Sequence, residues 1–194
     1  MFINSPEESE GAARLYKSSS DSQGFVMNLT RAWAWRPDVY EGFASLRSQL
    51  TNQSTLTKRE QTVIVCATAA QIGDSYCSLA WGKTLSQEAG AASAAAVIRN
   101  TDDDTLSNRD RALAAWARKV AANPNATAAS DVEALRAAGL NDREIFEATV
   151  FAAFRLAFST VNDALGVSPD FQLAEQAPAQ VRAAVTFGRR ATEA

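Results

Sequence analysis

The stretch that decides the fold is Leu56–Gly82, LTKREQTVIVCATAAQIGDSYCSLAWG. Thr57 is a good N-cap, and Glu60, three residues on, completes the pattern of a capping box. Val63-Ile64-Val65-Cys66-Ala67-Thr68-Ala69-Ala70 follows, apolar on nearly every face. A helix with no polar face is buried in a core or an interface. Gly73 suits a left-handed helix end. Asp74 or Ser75 suits the cap of the next helix. Cys77 then falls within the first turn of that helix, where free amides and the helix dipole favour a thiolate. The charge of Asp74 acts against it.

Outward from this stretch the chain reads as helix after helix. Residues 6–18 suit a helix with Pro6 in its first turn, and Ser18–Gly24 reads as a flexible loop. Met27–Trp35 is a short helix stopped by Pro37. Residues 37–50 continue with Val39, Tyr40, Phe43 and Leu46 at helical spacing. Trp33 and Trp35 read as packing groups, with a substrate wall or subunit contact as the other reading. Helices are predicted over 57–72, 75–88, 89–98, 107–122, 128–138 and 141–165, and a last mobile one over 176–190. Leu56-Thr57-Lys58-Arg59-Glu60, Leu106-Ser107-Asn108-Arg109-Asp110 and Leu140-Asn141-Asp142-Arg143-Glu144 open three helices in the same way. A recurring capping acid favours a structural role for Glu60 over a catalytic one. Helix 141–165 carries Phe146, Val150, Phe154, Ala157, Phe158, Val161 and Leu165 on one stripe, read as its core face. Arg155 flanks that stripe, placed to snorkel to water or to meet a buried acid such as Asp74. No stretch sustains strand alternation, so the fold class is all-α.

Composition narrows the chemistry. The 194 residues fit one domain, 1–194, with its core in about 24–170 and the outer helices 6–18 and 176–190 peripheral. The net charge is −3 without a basic cluster, which argues against nucleic acid as a partner. No apolar run reaches the ~18 residues of a membrane span. The acidic start MFINSPEESEGAAR lacks a signal-peptide core, so a cytoplasmic home is expected. Asp102-Asp103-Asp104 lacks the later Gly and Glu of a calcium loop and reads as a solvated turn. The chain has no His. That excludes a Ser-His-Asp triad, a His-based proton relay and the usual zinc sites. No metal or cofactor is expected.

Residues 62–77 resemble the core motif of the alkylhydroperoxidase AhpD / carboxymuconolactone decarboxylase family, in its peroxidase-related branch. That motif runs Glu, eleven residues, Cys-x-x-Cys, three residues, His. Asn123-Pro124, Val132–Ile145 and Ala164-Leu165-Gly166-Val167-Ser168-Pro169-Asp170 carry the resemblance onward, so that it spans most of residues 24–170. The reactive positions depart from it. The family's Glu falls on Thr62, its first Cys on Asp74 and its His on Trp81, while Cys77 keeps the second Cys. Its Asn-Arg pair falls on Ser159-Thr160.

The resemblance implies an AhpD-like helical fold and a link to peroxide or antioxidant chemistry. The family's dithiol relay needs two thiols in reach and a base, and Cys77 stands alone. At most a one-thiol peroxidase remains. A non-catalytic small-molecule binder or scaffold is one alternative, and an acid-based decarboxylase or isomerase is another. The candidate catalytic residues are Cys77, Asp74 and Glu60. The candidate substrate-binding residues are Thr62, Tyr76, Trp81 and Arg155. The expected partners are a small-molecule ligand or peroxide and further copies of the chain. Family members form symmetric homo-oligomers, and the many apolar faces here point the same way. Residues near 25–45 or 75–99 would supply the contacts.

Overall fold

The computed structural model describes residues 1–192. Eleven α-helices and one short 3₁₀ turn build those residues, and the only extended pairing among them is a single bridge between Asp170 and Thr192. The fold is all-α, as the sequence predicts. At its centre runs α4 (Lys58–Ile72), in which every residue from Glu60 to Ala69 is buried. A helix of that kind must be covered on all sides. It packs against α5 (Ser75–Ala89), α6 (Ala91–Arg99), α7 (Asn108–Ala122) and α9 (Asp142–Ala164). The predicted connection is present. Gly73 ends α4 at φ 76°, a left-handed position suited to glycine, and Asp74 caps α5.

Three helices open with closed capping boxes: Thr57 with Glu60, Ser107 with Asp110, and Asn141 with Glu144. Two of their arginines cross over to the neighbouring boxes, while Arg143 pairs with Glu147 of its own helix. Arg59 of α4 donates to Asp110 of α7 at 2.8 Å. Arg109 of α7 donates to Glu60 at 2.6 Å, to Glu144 at 2.8 Å and to the Gly139 carbonyl at 2.6 Å. Each acid thus serves its own helix start and a neighbour at once.

The structure corrects the sequence reading in four places. The serine-rich segment is not a loop. α1 (Glu10–Gln23) runs through it from an N-cap at Ser9 to Gly24, with Ser22 bonded back to the Ser18 carbonyl at 2.8 Å. Pro6 precedes that helix. The tail is not one helix over 176–190 but two short ones, α10 (Phe171–Gln176) and α11 (Ala179–Ala184). Pro178 separates them, and Val181 anchors α11 by complete burial. On α9 the buried face is Ile145, Ala148, Phe151, Ala152, Phe154, Arg155, Phe158, Ser159 and Asn162, whereas Phe146 is 69% exposed. Phe154 and Phe158 of the predicted stripe are on the core face, while Phe146 and Val161 at its ends are exposed. Finally, the tryptophan pair divides. Trp33 lies in the core, stacked on Phe158 with centroids 5.0 Å apart, while Trp35 is 50% exposed.

Of the remaining helices, α2 (Asn28–Trp33) adds Leu29, Ala32 and Trp33 to the core and α8 (Ala129–Ala137) adds Leu135, while α3 (Pro37–Asn52) packs Val39, Tyr40, Phe43 and Leu50 against it. α3 contains no fully buried residue. No helix among the described residues is long and apolar enough to cross a membrane.

Gly82 marks the tightest approach of the tail. A Cβ there would lie 2.6 Å from Val181 Cγ1 and 3.0 Å from Ile98 Cδ1. Gly82→Ala gains helix propensity but overpacks this contact. We expect a net loss of about 1–2 kcal/mol in thermal or denaturant unfolding. Adding Val181→Ala relieves the clash, so the double variant should lose less than the two single losses combined.

Candidate functional site

The first turn of α5 and the middle of α9 meet at Cys77. The Asp74 cap fixes the thiol's place: Asp74 Oδ1 accepts from the Cys77 amide at 2.9 Å. From α9, Arg155 Nη2 donates to Cys77 Sγ at 3.1 Å, and Ser159 Oγ lies 3.6 Å from the same sulfur. The i, i+4 spacing of Arg155 and Ser159 puts both on one face of α9. All four residues are buried. Cys77 and Arg155 are each 3% exposed, and Asp74 is fully enclosed.

Burial is the main force on the thiol. Together with the neighbouring Asp74 charge it pushes Cys77 up to about 12, while Arg155 and Ser159 pull it down. The helix N-terminus therefore does not deliver the ready thiolate that its position suggests, because a desolvated sulfur beside a carboxylate keeps its proton. Cys66, in the enclosed middle of α4, is pushed up still further by burial. Both thiols are free. Behind the site, Asp163 of α9 is raised to about 7 by burial and by the charge of Asp74.

The sulfur faces a cleft of about 700 Å³ between α1, α3, α5 and α9. Tyr40, Arg47, Trp81, Lys83 and Phe158 stand on its walls with Cys77 and Arg155. Arg155 lies between two rings, its guanidinium carbon 5.1 Å from the Trp81 centroid and 5.2 Å from that of Phe158. These are cation–π distances. Trp81 therefore forms a wall of an open cleft rather than plugging it.

The structure brings together only some of the candidate residues. Cys77, Asp74, Arg155, Trp81 and Tyr76 lie in or against the cleft. Tyr76 gives its hydroxyl hydrogen to Asp170, whose other oxygen accepts from the Asn28 amide at 2.8 Å. Glu60 and Thr62 stand apart. Glu60 uses one oxygen in its capping box and the other on Arg109. It sits about 20 Å along α4 from Asp74, at 1.5 Å rise per residue. Thr62 is fully buried, its hydroxyl bonded to the Arg59 carbonyl at 2.8 Å. Ser159, Arg47 and Lys83 were missed as site residues. For Ser159 the signal was present in its helical spacing from Arg155.

No family model and no curated relative matches the chain. Solved structures do. It is similar to an AhpD-core, uncharacterized peroxidase-related protein from Ralstonia eutropha JMP134, at 27% identity and a TM-score of 0.77, covering 89% of this chain and 93% of that one. It is also similar to an uncharacterized peroxidase-related protein from Silicibacter sp. TM1040, at 21% identity and a TM-score of 0.75, covering 88% and 92%. The debrominase Bmp8, as a cysteine-to-alanine variant in complex with 2,3,4-tribromopyrrole, shares the fold at 14% identity and a TM-score of 0.74, covering 91% and 97%.

The charge of Asp74 acts directly on the thiol, and its removal has a readable sign. Asp74→Asn keeps a good helix cap but deletes the charge. Cys77 alkylation by iodoacetamide should rise about tenfold per pH unit between about pH 7 and 9 in the parent chain, without the plateau of an ordinary thiol. In Asp74→Asn it should be several-fold faster at pH 8. An unchanged or slower rate would show that Asp74 does not hold the thiol protonated.

Proposed function

We propose that this chain, an AhpD-like protein of the peroxidase-related kind, performs one-thiol chemistry at Cys77 on a small electrophile, with a peroxide as the first candidate. One observation carries the reading. Cys77 is the sole thiol at the cleft, and it lies within 3.1 Å of a buried guanidinium able to stabilise developing negative charge. In the proposed reaction the Cys77 sulfur attacks the terminal peroxide oxygen and the O–O bond breaks. Sulfur is oxidised to the sulfenic acid and the peroxide is reduced to an alcohol. Arg155 faces the departing oxygen. The thiol proton passes to that oxygen and completes the alcohol. An external thiol then condenses with the sulfenic acid, releasing water. A second external thiol frees Cys77 and leaves as the disulfide.

A second reading, ligand binding without turnover, is favoured by the thiol being held up to about 12, which leaves little thiolate near neutral pH. Peroxide consumption with a small external thiol separates the two. Slow turnover abolished by Cys77→Ser, with no Cys66–Cys77 bond in mass spectrometry, supports the one-thiol reaction. Turnover unaffected by Cys77→Ser refutes it. Since Bmp8 binds a brominated pyrrole, an aryl bromide belongs in the same panel of electrophiles.

We also propose that the chain forms a homo-oligomer. Leu46, on a helix with no fully buried residue, Trp35 and Phe146 leave apolar surface uncovered in one copy. Light scattering should give a multiple of the 20.8 kDa chain at micromolar concentration. A monomer there rejects the assembly.

A further inference from the structure

We propose that the cleft over Cys77 binds small organic carboxylates with a flat apolar body, the carboxylate taken by Arg155. This rests on the Cys77-centred reading and names its substrate class.

Arg155 carries the inference. Its guanidinium stays charged in proteins, yet among the described residues it pairs with no Asp or Glu. Its one hydrogen bond is Nη2 to the Cys77 sulfur at 3.1 Å, and its Nε has no partner. Asp74, the acid of the site, spends Oδ1 on the Cys77 amide and makes no hydrogen bond to Arg155. A thiol that keeps its proton does not neutralise the guanidinium. A buried charge without a counter-ion is costly unless something supplies one. The guanidinium fork matches a carboxylate, which would give Arg155 the direct ion pair that Asp74, bonded to the Cys77 amide, does not make.

The surroundings fit such an occupant. The cleft is lined by Arg47, Lys83 and Arg155 but by no acidic residue, in a chain whose net charge is −3. Arg47 is exposed, and neither it nor Lys83 forms an ion pair among the described residues. They would draw an anion toward the opening. Trp81 and Phe158 flank the guanidinium and offer flat apolar walls for the remainder of the molecule. A dianionic phosphate would call for more buried donors than this one arginine provides. A carboxylate held there leaves its apolar body beside the sulfur, which places a reactive group on that body within reach of Cys77.

Calorimetric titration of the full chain tests this with naphthoate, its neutral isostere naphthamide, and naphthyl phosphate. Naphthoate should bind about tenfold or more tightly than naphthamide, the margin expected of a charge-assisted hydrogen bond. The preference should vanish in Arg155→Met, persist in Cys77→Ser, and weaken several-fold in Arg47→Gln and at high salt. Equal binding of acid and amide overturns the proposal, as does a preference unchanged in Arg155→Met or tighter binding of the phosphate. If Arg155→Met does not fold, Arg47→Gln and the salt series decide, and a naphthoate affinity indifferent to both overturns it. Loss of Cys77 turnover with the naphthoate preference intact counts against the thiol chemistry alone. Intact turnover with no preference counts against the carboxylate site alone.

Discussion

A helix with no polar face cannot lie on a surface, and α4 has none. From Glu60 to Ala69 it is wholly buried, so the other long helices are arranged to keep water from it. Packing of this kind is non-directional. It demands cover without saying which side chain touches which. Direction comes from the helix starts. Arg59 reaches the capping acid of α7, and Arg109 reaches those of α4 and α9. Three positive helix N-termini are thereby held near one another by the acids that cap them and the arginines that bridge those acids. The apolar core supplies the driving force, and the exchanged ion pairs fix which helix starts lie side by side.

This division explains what the sequence revealed. The capping boxes were legible because their chemistry is local: a Thr, Ser or Asn followed three residues later by an acid. The same locality made Gly73 and Asp74 readable as the end of one helix and the start of the next. Glu60 was harder. A buried acid at the head of a motif helix resembles a catalytic group until its partners are known, and its second oxygen is taken by Arg109, distant in sequence. The recurrence of the pattern at Asp110 and Glu144 was the available clue, and it pointed toward the structural role.

The partly misplaced face of α9 has a different cause. Periodicity assigns the core side to the most apolar stripe, which on α9 runs through Phe146 and Val161. The buried side instead includes Arg155, Ser159 and Asn162. Polar residues on an inward face break the binary pattern, and such breaks concentrate where a protein keeps chemistry. The error and the candidate site therefore have one origin. The serine-rich part of α1 was misjudged for a related reason. Ser22 bonds back to carbonyls of its own helix, Ser19 donates to the Phe25 carbonyl beyond the helix, and Leu15 and Ser19 turn inward, so tertiary contact overrides a weak local propensity.

The site also has a closed back, and the ends of the chain make it. Phe2 donates its amide to the Leu165 carbonyl at 2.8 Å, at the end of α9. Arg189 lies over the Phe2 ring at 5.0 Å, and its carbonyl accepts from Ser75 beside the Asp74 cap at 2.7 Å. The positive charge of Arg189 also acts on Asp163, opposing the rise caused by burial and by Asp74. The two termini thus cover the side on which the acids lie, while the cleft opens on the other side of Cys77. A carboxylate shielded from water acts on its neighbours more strongly than an exposed one. The terminal segments close off the α5 cap and the end of α9, although neither touches the sulfur.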